Sequence, residues 1–174
     1  MDIRGWFLLA AAIPLQSFAQ WQGWDYDFDQ EKREWAEIQA KIPSYPKPEN
    51  LRKFEMDAVT PHSFFIDAAS LSVGEDGVIR YTLMVRTGGG ATNVSFEGIR
   101  CDAREQKVYA FGRPDGSWSR ARDPKWRRIE PREVNGHHYL LHGQYFCNSR
   151  RFPATLQQIN HTLRYGPPKQ PLPD

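Results

Sequence analysis

The stretch Gly77–Thr87, GVIRYTLMVRT, alternates without a break: Ile79, Tyr81, Leu83 and Val85 fall on one side, Arg80, Thr82, Met84 and Arg86 on the other. A period of two is the signature of a β-strand, and the polar second face predicts a half-buried antiparallel one. The flanks extend the pattern. FFIDAASLSV (64–73) precedes it across the turn GEDG, GGG (88–90) leads into TNVSFEGIRC (92–101), and DAREQ leads into KVYAFG (107–112). Turn residues between short apolar runs make a four-stranded meander. In TNVSFEGIRC the apolar set passes from Val94 and Phe96 to Ile99 and Cys101 across Gly98, which predicts a bulge at that glycine.

Beyond RPDG (113–116) the pattern weakens. HHYLLHGQYF (137–146) fits a fifth strand or a short buried helix, and periodicity does not choose between them. FPATLQQINHTLRYG (152–166) reads as a helix with Leu156, Ile159 and Leu163 on one face and Gly166 before Pro167 as its stop. Upstream, Trp35, Ile38 and Ile42 recur at i, i+3 and i+7, predicting a short helix that Asp29 caps and Pro43 ends. PSYPKPEN (43–50) then reads as an extended strap. The expected fold is α+β: a single antiparallel four- to five-stranded meander with helices from both termini and one disulfide.

The first residues, MDIRGWFLLAAAIPLQSFAQ, combine Arg4, an apolar run from Gly5 to Leu15, and small residues at Ser17 and Ala19. That is the pattern of a secretory signal cleaved after Ala19. The run is roughly half the ~20 apolar residues that a spanning helix needs. No cysteine follows the cut, so a lipid anchor is not expected. The domain plan is a signal over 1–19, a helix and proline-rich strap over 20–61, an α+β core over 62–166 and a flexible tail over 167–174. About 155 residues remain after the cut, enough for one domain with a real core. An oxidising compartment favours a bridge between the two cysteines, Cys101 and Cys147.

The segment from Phe64 to Trp126, FFIDAASLSVGEDGVIRYTLMVRTGGGATNVSFEGIRCDAREQKVYAFGRPDGSWSRARDPKW, with IPSYPKPENL (42–51) before it and YFC (145–147) after it, closely resembles the cryptic neisserial protein-like family of secreted bacterial envelope proteins. The resemblance implies a periplasmic or envelope location. It brings no catalytic residues with it.

Composition narrows the function. A net charge of +2 excludes a global polycation, so any electrostatic role must come from local clustering. WSRARDPKWRR (118–128) is such a cluster. From Ser117 to Glu133, six bases stand against three acids, and Trp118 and Trp126 add planar faces for stacking. The candidate binding residues are Trp118, Arg120, Arg122, Trp126, Arg127 and Arg128. Export argues against nucleic acid, whereas an envelope supplies proteins, anionic glycans and phosphate-bearing lipids that suit arginine. The competing reading packs the tryptophans on the sheet and leaves the charged ends solvated.

Other constellations are weaker. On a strand His138 and His142 stand about 13 Å apart, too far to share an ion, and only a helix would bring them within one turn. Asp25, Asp27 and Asp29 mimic the start of a calcium loop, but Gln30 replaces the glycine and Ala36 the closing glutamate. TGGGAT (87–92) lacks the Lys-Ser or Lys-Thr of a phosphate loop and reads as a hairpin turn. There is no Gly-x-Ser-x-Gly elbow and no Cys-x-x-Cys pair. No cofactor, metal or catalytic residue is expected. The leading expectation is a non-enzymatic envelope module that binds a protein or an anionic component. The alternative is an envelope hydrolase or transferase using His138 or His142 with a nearby carboxylate.

Overall fold

The computed structural model describes residues 34–56, 60–131 and 136–168. The expected signal, the Asp25 to Asp29 acids, Arg132 and Glu133, and the tail from 169 lie outside the described residues. The strand order is β1 Leu51–Phe54, β2 Ser63–Val73, β3 Val78–Arg86, β4 Thr92–Arg100, β5 Glu105–Gly112, β6 Trp118–Arg120 and β7 Arg127–Arg128. Helix α1 runs from His137 to Leu140, continues as a π-helical segment Leu141–Phe146, and is followed by α2, Leu156–Tyr165.

Among the described residues all seven strands belong to one antiparallel sheet in the order β1-β2-β3-β4-β5-β6, with β7 also on β5. The meander is therefore longer than the four or five strands expected. The three additional strands are too short to show alternation: β1, β6 and β7 hold four, three and two residues. The first lies inside the stretch assigned to the strap.

Ile79, Tyr81 and Leu83 of β3 and Ile99 of β4 join Phe54, Phe64 and Ile66 under the helical layer, where Leu140, Leu141, Phe146, Ile159 and Leu163 complete the core. The Tyr81 and Phe146 rings meet edge to face at 4.9 Å. The opposite face is covered too. Val78, Arg80 and Thr82 are buried, so β3 is not half-exposed over its first six residues. This second cover also explains the apparent phase change at Gly98. Register between β3 and β4 runs unbroken from Val78↔Arg100 to Arg86↔Thr92. Val94 and Phe96 point to one covered face and Ile99 and Cys101 to the other. The bulge lies instead in β5, where Phe96 pairs Ala110 and Glu97 pairs Val108, leaving Tyr109 as the extra residue. Gly98 instead makes room for that residue, since a Cβ there would stand 2.7 Å from the Tyr109 hydroxyl.

The second cover is residues 35–47, and they form no helix. The expected N-terminal helix is thus corrected over 34–42. The β2–β3 turn and β3 take up the Ile38 backbone groups that a helix would have used. Asp76 Oδ2 accepts from the Ile38 N–H at 2.8 Å, and Arg80 donates to the Ile38 carbonyl at 2.7 Å. Trp35 and Ile38 remain 38% and 48% exposed, so the supposed apolar stripe is not what buries the segment. Its anchors are polar and aromatic. The Trp35 indole donates to the Asp76 carbonyl at 2.8 Å, the Arg100 guanidinium lies 3.7 Å from the Trp35 ring, and Tyr45 packs on Trp118 at 5.5 Å.

HHYLLHGQYF resolves as the helical alternative. The π-helical turn lets the Cys147 N–H reach the His142 carbonyl at 3.2 Å and buries Leu141, Tyr145 and Phe146 against the sheet while Gly143 stays outside. Cys147 then bridges to Cys101 at a Cα separation of 5.6 Å, as expected. Helix α2 starts on a capping box in which Thr155 Oγ1 accepts from the Gln158 N–H and Gln158 Oε1 accepts from the Thr155 N–H. Its buried residues are Ile159 and Leu163; Leu156, expected on the same face, is 43% exposed in the first turn. Gly166 closes it at a φ of 85°. Among the described residues no helix is long and apolar enough to cross a membrane.

Candidate functional site

The outer edge of β5 decides how the Trp118 to Arg128 stretch is displayed. Strand β6 pairs only with Ala110 to Gly112, and β7 only with Glu105 and Gln106. Between them the loop stands off the sheet, tied at Ala121, whose N–H donates to the Tyr109 carbonyl at 2.9 Å. Strand alternation then sends neighbouring side chains to opposite faces.

The tryptophans turn toward the strap. Trp118 packs on Tyr45 and, at 6.4 Å, on Phe96; Trp126 stands edge to face with Trp35 at 5.9 Å and Tyr109 at 6.5 Å. Trp126 Nε1–H donates to Glu37 at 3.1 Å. The same carboxylate accepts from the Tyr109 hydroxyl and from Lys107, both at 2.7 Å. Burial pushes the Glu37 carboxyl up, and the hydrogen bonds from Lys107, Tyr109 and Trp126 more than offset it, so its pKa is lowered. Glu37 is a clasp between strap and sheet that takes in Trp126, while Trp118 is held by Tyr45 and Phe96.

The arginines separate. Arg120 is exposed beside Glu37, Ile42 and Tyr109 in a depression of about 320 Å³ on the strap side. Arg128 is exposed and lies 3.5 Å from Glu130. Arg122 and Arg127 converge with Lys125 on a groove of about 260 Å³ on the other side of the loop, floored by Val108 and Phe111. Phe111 is 52% exposed there. One acid, Asp123, lies in this groove and pairs with Lys125 at 3.0 Å. Arg122 and Arg127 have no ion pair among the described residues. An apolar floor under two uncompensated guanidiniums can bind an anionic group that carries an apolar or planar portion.

So the structure divides the six candidate residues by face instead of uniting them. Sequence reading overlooked Val108 and Phe111 as the floor. Strict alternation in KVYAFG separates the two, and only the bulge at Tyr109 brings Val108, opposite Glu97, and Phe111, opposite Ser95, to one face.

A second polar cluster lies under α1. Glu97 is 3% exposed. Its Oε2 accepts from the Tyr81 hydroxyl and contacts His138 Nε2, both at 2.8 Å, and its Oε1 accepts from Ser95 at 2.5 Å. Burial alone pushes this carboxyl up; the charges and hydrogen bonds of His138, His137 and Ser95 win and bring it down to about 2. Ser95 and His138 both bond the carboxylate, and neither Glu97 oxygen is shared by the two. His142 stands apart, with Nε2 at 3.1 Å from the Cys101 carbonyl. The helical form of 137–146 does set His138 and His142 one turn apart, but each is engaged elsewhere. Among the described residues no group of three His, Cys, Asp or Glu side chains is placed to hold a metal ion.

No curated protein and no solved structure matches the chain. A family model does, over residues 30–164, a span that includes the sheet, α1, the disulfide and all of α2 but its last residue. The chain belongs to the CNP1-like family.

Proposed function

We propose that this chain is a non-enzymatic module of the bacterial envelope, exported by a signal cleaved after Ala19, that holds an anionic envelope component in the groove beside β5. The observation that carries the reading is the Val108 and Phe111 floor beneath Arg122, Lys125 and Arg127. A rim of three cations against one acid, Asp123, around an exposed apolar floor suits a ligand or partner surface that is negative and in part apolar. The tryptophans serve the groove indirectly, since they pin the loop that carries its cations.

The test is photo-crosslinking in the periplasm from a benzophenone amino acid in place of Phe111, with the same probe in place of Tyr165 on α2 as control. A discrete adduct formed only from position 111, and lost in the Arg122→Ala/Arg127→Ala protein, supports the reading. A folded, exported protein that yields no adduct from position 111 removes it.

A second reading, an envelope hydrolase or transferase acting through a histidine, draws on the His138 and Glu97 contact, because a carboxylate that orients an imidazole is how many general bases are built. It requires that His138→Asn abolish turnover of an envelope ester or glycan while the protein stays folded.

A further inference from the structure

The turn between β4 and β5 and the turn after the π-helical segment are fastened to each other, because the bridged Cys101 and Cys147 begin them. Each turn ends on an arginine in left-handed backbone, Arg104 at a φ of 54° and Arg151 at 61°, and among the described residues these are the non-glycine positions with positive φ. Glycine accepts that conformation freely and side chains with a Cβ resist it. At the comparable turns Gly77, Gly90 and Gly116 the chain does use glycine. At 104 and 151 the backbone bears a penalty that glycine would remove, which indicates a role for the side chains.

Both side chains line one cavity of about 490 Å³, together with Tyr139, His142, Asn148 and Ser149. Among the described residues no carboxylate lines it. The acids nearest in the chain, Asp102 and Glu105, are both turned to Arg100, at 3.2 and 3.3 Å. The scaffold beneath the arginines is well tied. The Arg104 carbonyl accepts from the Ile129 N–H at 2.9 Å. Asn148 Oδ1 accepts from the N–H groups of Arg150 and Phe152, both at 3.0 Å, so its amide N–H groups remain as donors. His142 faces a carbonyl through Nε2, which therefore carries the proton and leaves Nδ1 as an acceptor. Its pKa is lowered, first by burial and then by the charges of Arg104 and Arg151, with the Cys101 carbonyl acting the other way. Both guanidinium charges are thus felt at one imidazole.

We propose that this cavity, separate from the groove beside β5, binds a phosphate monoester carried on a small hydroxylated molecule. Two guanidiniums without a counter-charge select a tetrahedral dianion, for which their planar forks are matched. A cavity of about 490 Å³ leaves room beyond a phosphate for a sugar-sized group, and Asn148, Ser149 and the neutral His142 ring offer donors and acceptors for its hydroxyls. The disulfide sets the spacing of the two arginine-bearing turns.

Calorimetric titration of the full chain with a hexose 6-phosphate, with inorganic phosphate, with the uncharged hexose and with vesicles containing phosphatidic acid tests this. The expected result is one saturable site for the hexose phosphate, weaker binding of inorganic phosphate and no binding of the hexose. Arg104→Gly and Arg151→Gly should each weaken the hexose phosphate at least tenfold while the thermal midpoint stays level or rises, since glycine relaxes the turn. Saturable binding to the phosphatidic acid vesicles alone, with the same loss in both variants, supports the site and places the phosphate on a lipid headgroup. An absence of saturable binding to every phosphate probe overturns the proposal. So does full affinity in the folded Arg104→Gly/Arg151→Gly protein.

Discussion

His138 Nε2 lies 2.8 Å from Glu97 Oε2, joining α1 to the middle of β4 inside the core. The Glu97 carboxyl is held at about 2, against an ordinary value of 4.5. A depressed carboxyl contributes stability that is complete above its unfolded pKa and lost as pH falls through its folded one. Urea midpoints measured from pH 6 to pH 2 should therefore drop between about 4.5 and 2. Glu97→Gln should flatten that drop and destabilise the protein at neutral pH by about 3 kcal/mol, because His138 and Tyr81 lose a charged partner in the interior.

Asp76 and Arg80 form a second buried pair, 2.6 Å apart with side chains 1% and 8% exposed. Burial pushes Asp76 up, and Arg80 with the Ile38 and Val78 N–H groups brings it below its usual value. Asp76→Ala strands the guanidinium and should cost about 3–5 kcal/mol in chemical denaturation. Asp76→Ala/Arg80→Met should recover most of that loss. If the double variant is no more stable than Asp76→Ala, the cost lies in the strap and not in the abandoned charge.

Cys101 and Cys147 close a loop over a separation of 46 residues. By the chain-entropy relation the bridge stabilises by about 4 kcal/mol. Cys101→Ser/Cys147→Ser should lower the denaturation midpoint by the corresponding amount. Reducing agent should do the same to the unaltered protein and leave the double variant unmoved.

Gly112 sits where a Cβ would stand 2.8 Å from Tyr45 Cε2 and 2.8 Å from Val94 Cβ. Gly112→Ala should cost about 1–3 kcal/mol by overpacking. It should also release Tyr45 from Trp118, which a red shift in tryptophan fluorescence would report. An unchanged spectrum would mean that the strap is held by Glu37 and Asp76 without Tyr45.

Four strands of the central meander, the α2 helix with its glycine stop and the cysteine bridge were legible because each leaves a local mark: alternation, a capped 3.6-residue period, and a cysteine pair in a chain that reads as exported. The strap shows where such marks mislead. Trp35, Ile38 and Ile42 have helical spacing, yet Asp76 and Arg80, some forty residues on, take the N–H and carbonyl of Ile38. Gly98 misled in the same way, since a strand covered on both faces has apolar residues of either parity.

What the sequence determines alone is therefore the repeating part of the fold, because backbone periodicity acts between neighbours and needs no partner to be visible. Only the tertiary structure decided which face each aromatic and arginine serves. It sent Trp118 and Trp126 under the strap, Arg122 and Arg127 over Phe111, and Arg104 toward Arg151 across a disulfide. Those placements depend on where β6, β7 and the π-helical turn dock, and docking is settled by shape and by buried hydrogen bonds between residues far apart in the chain.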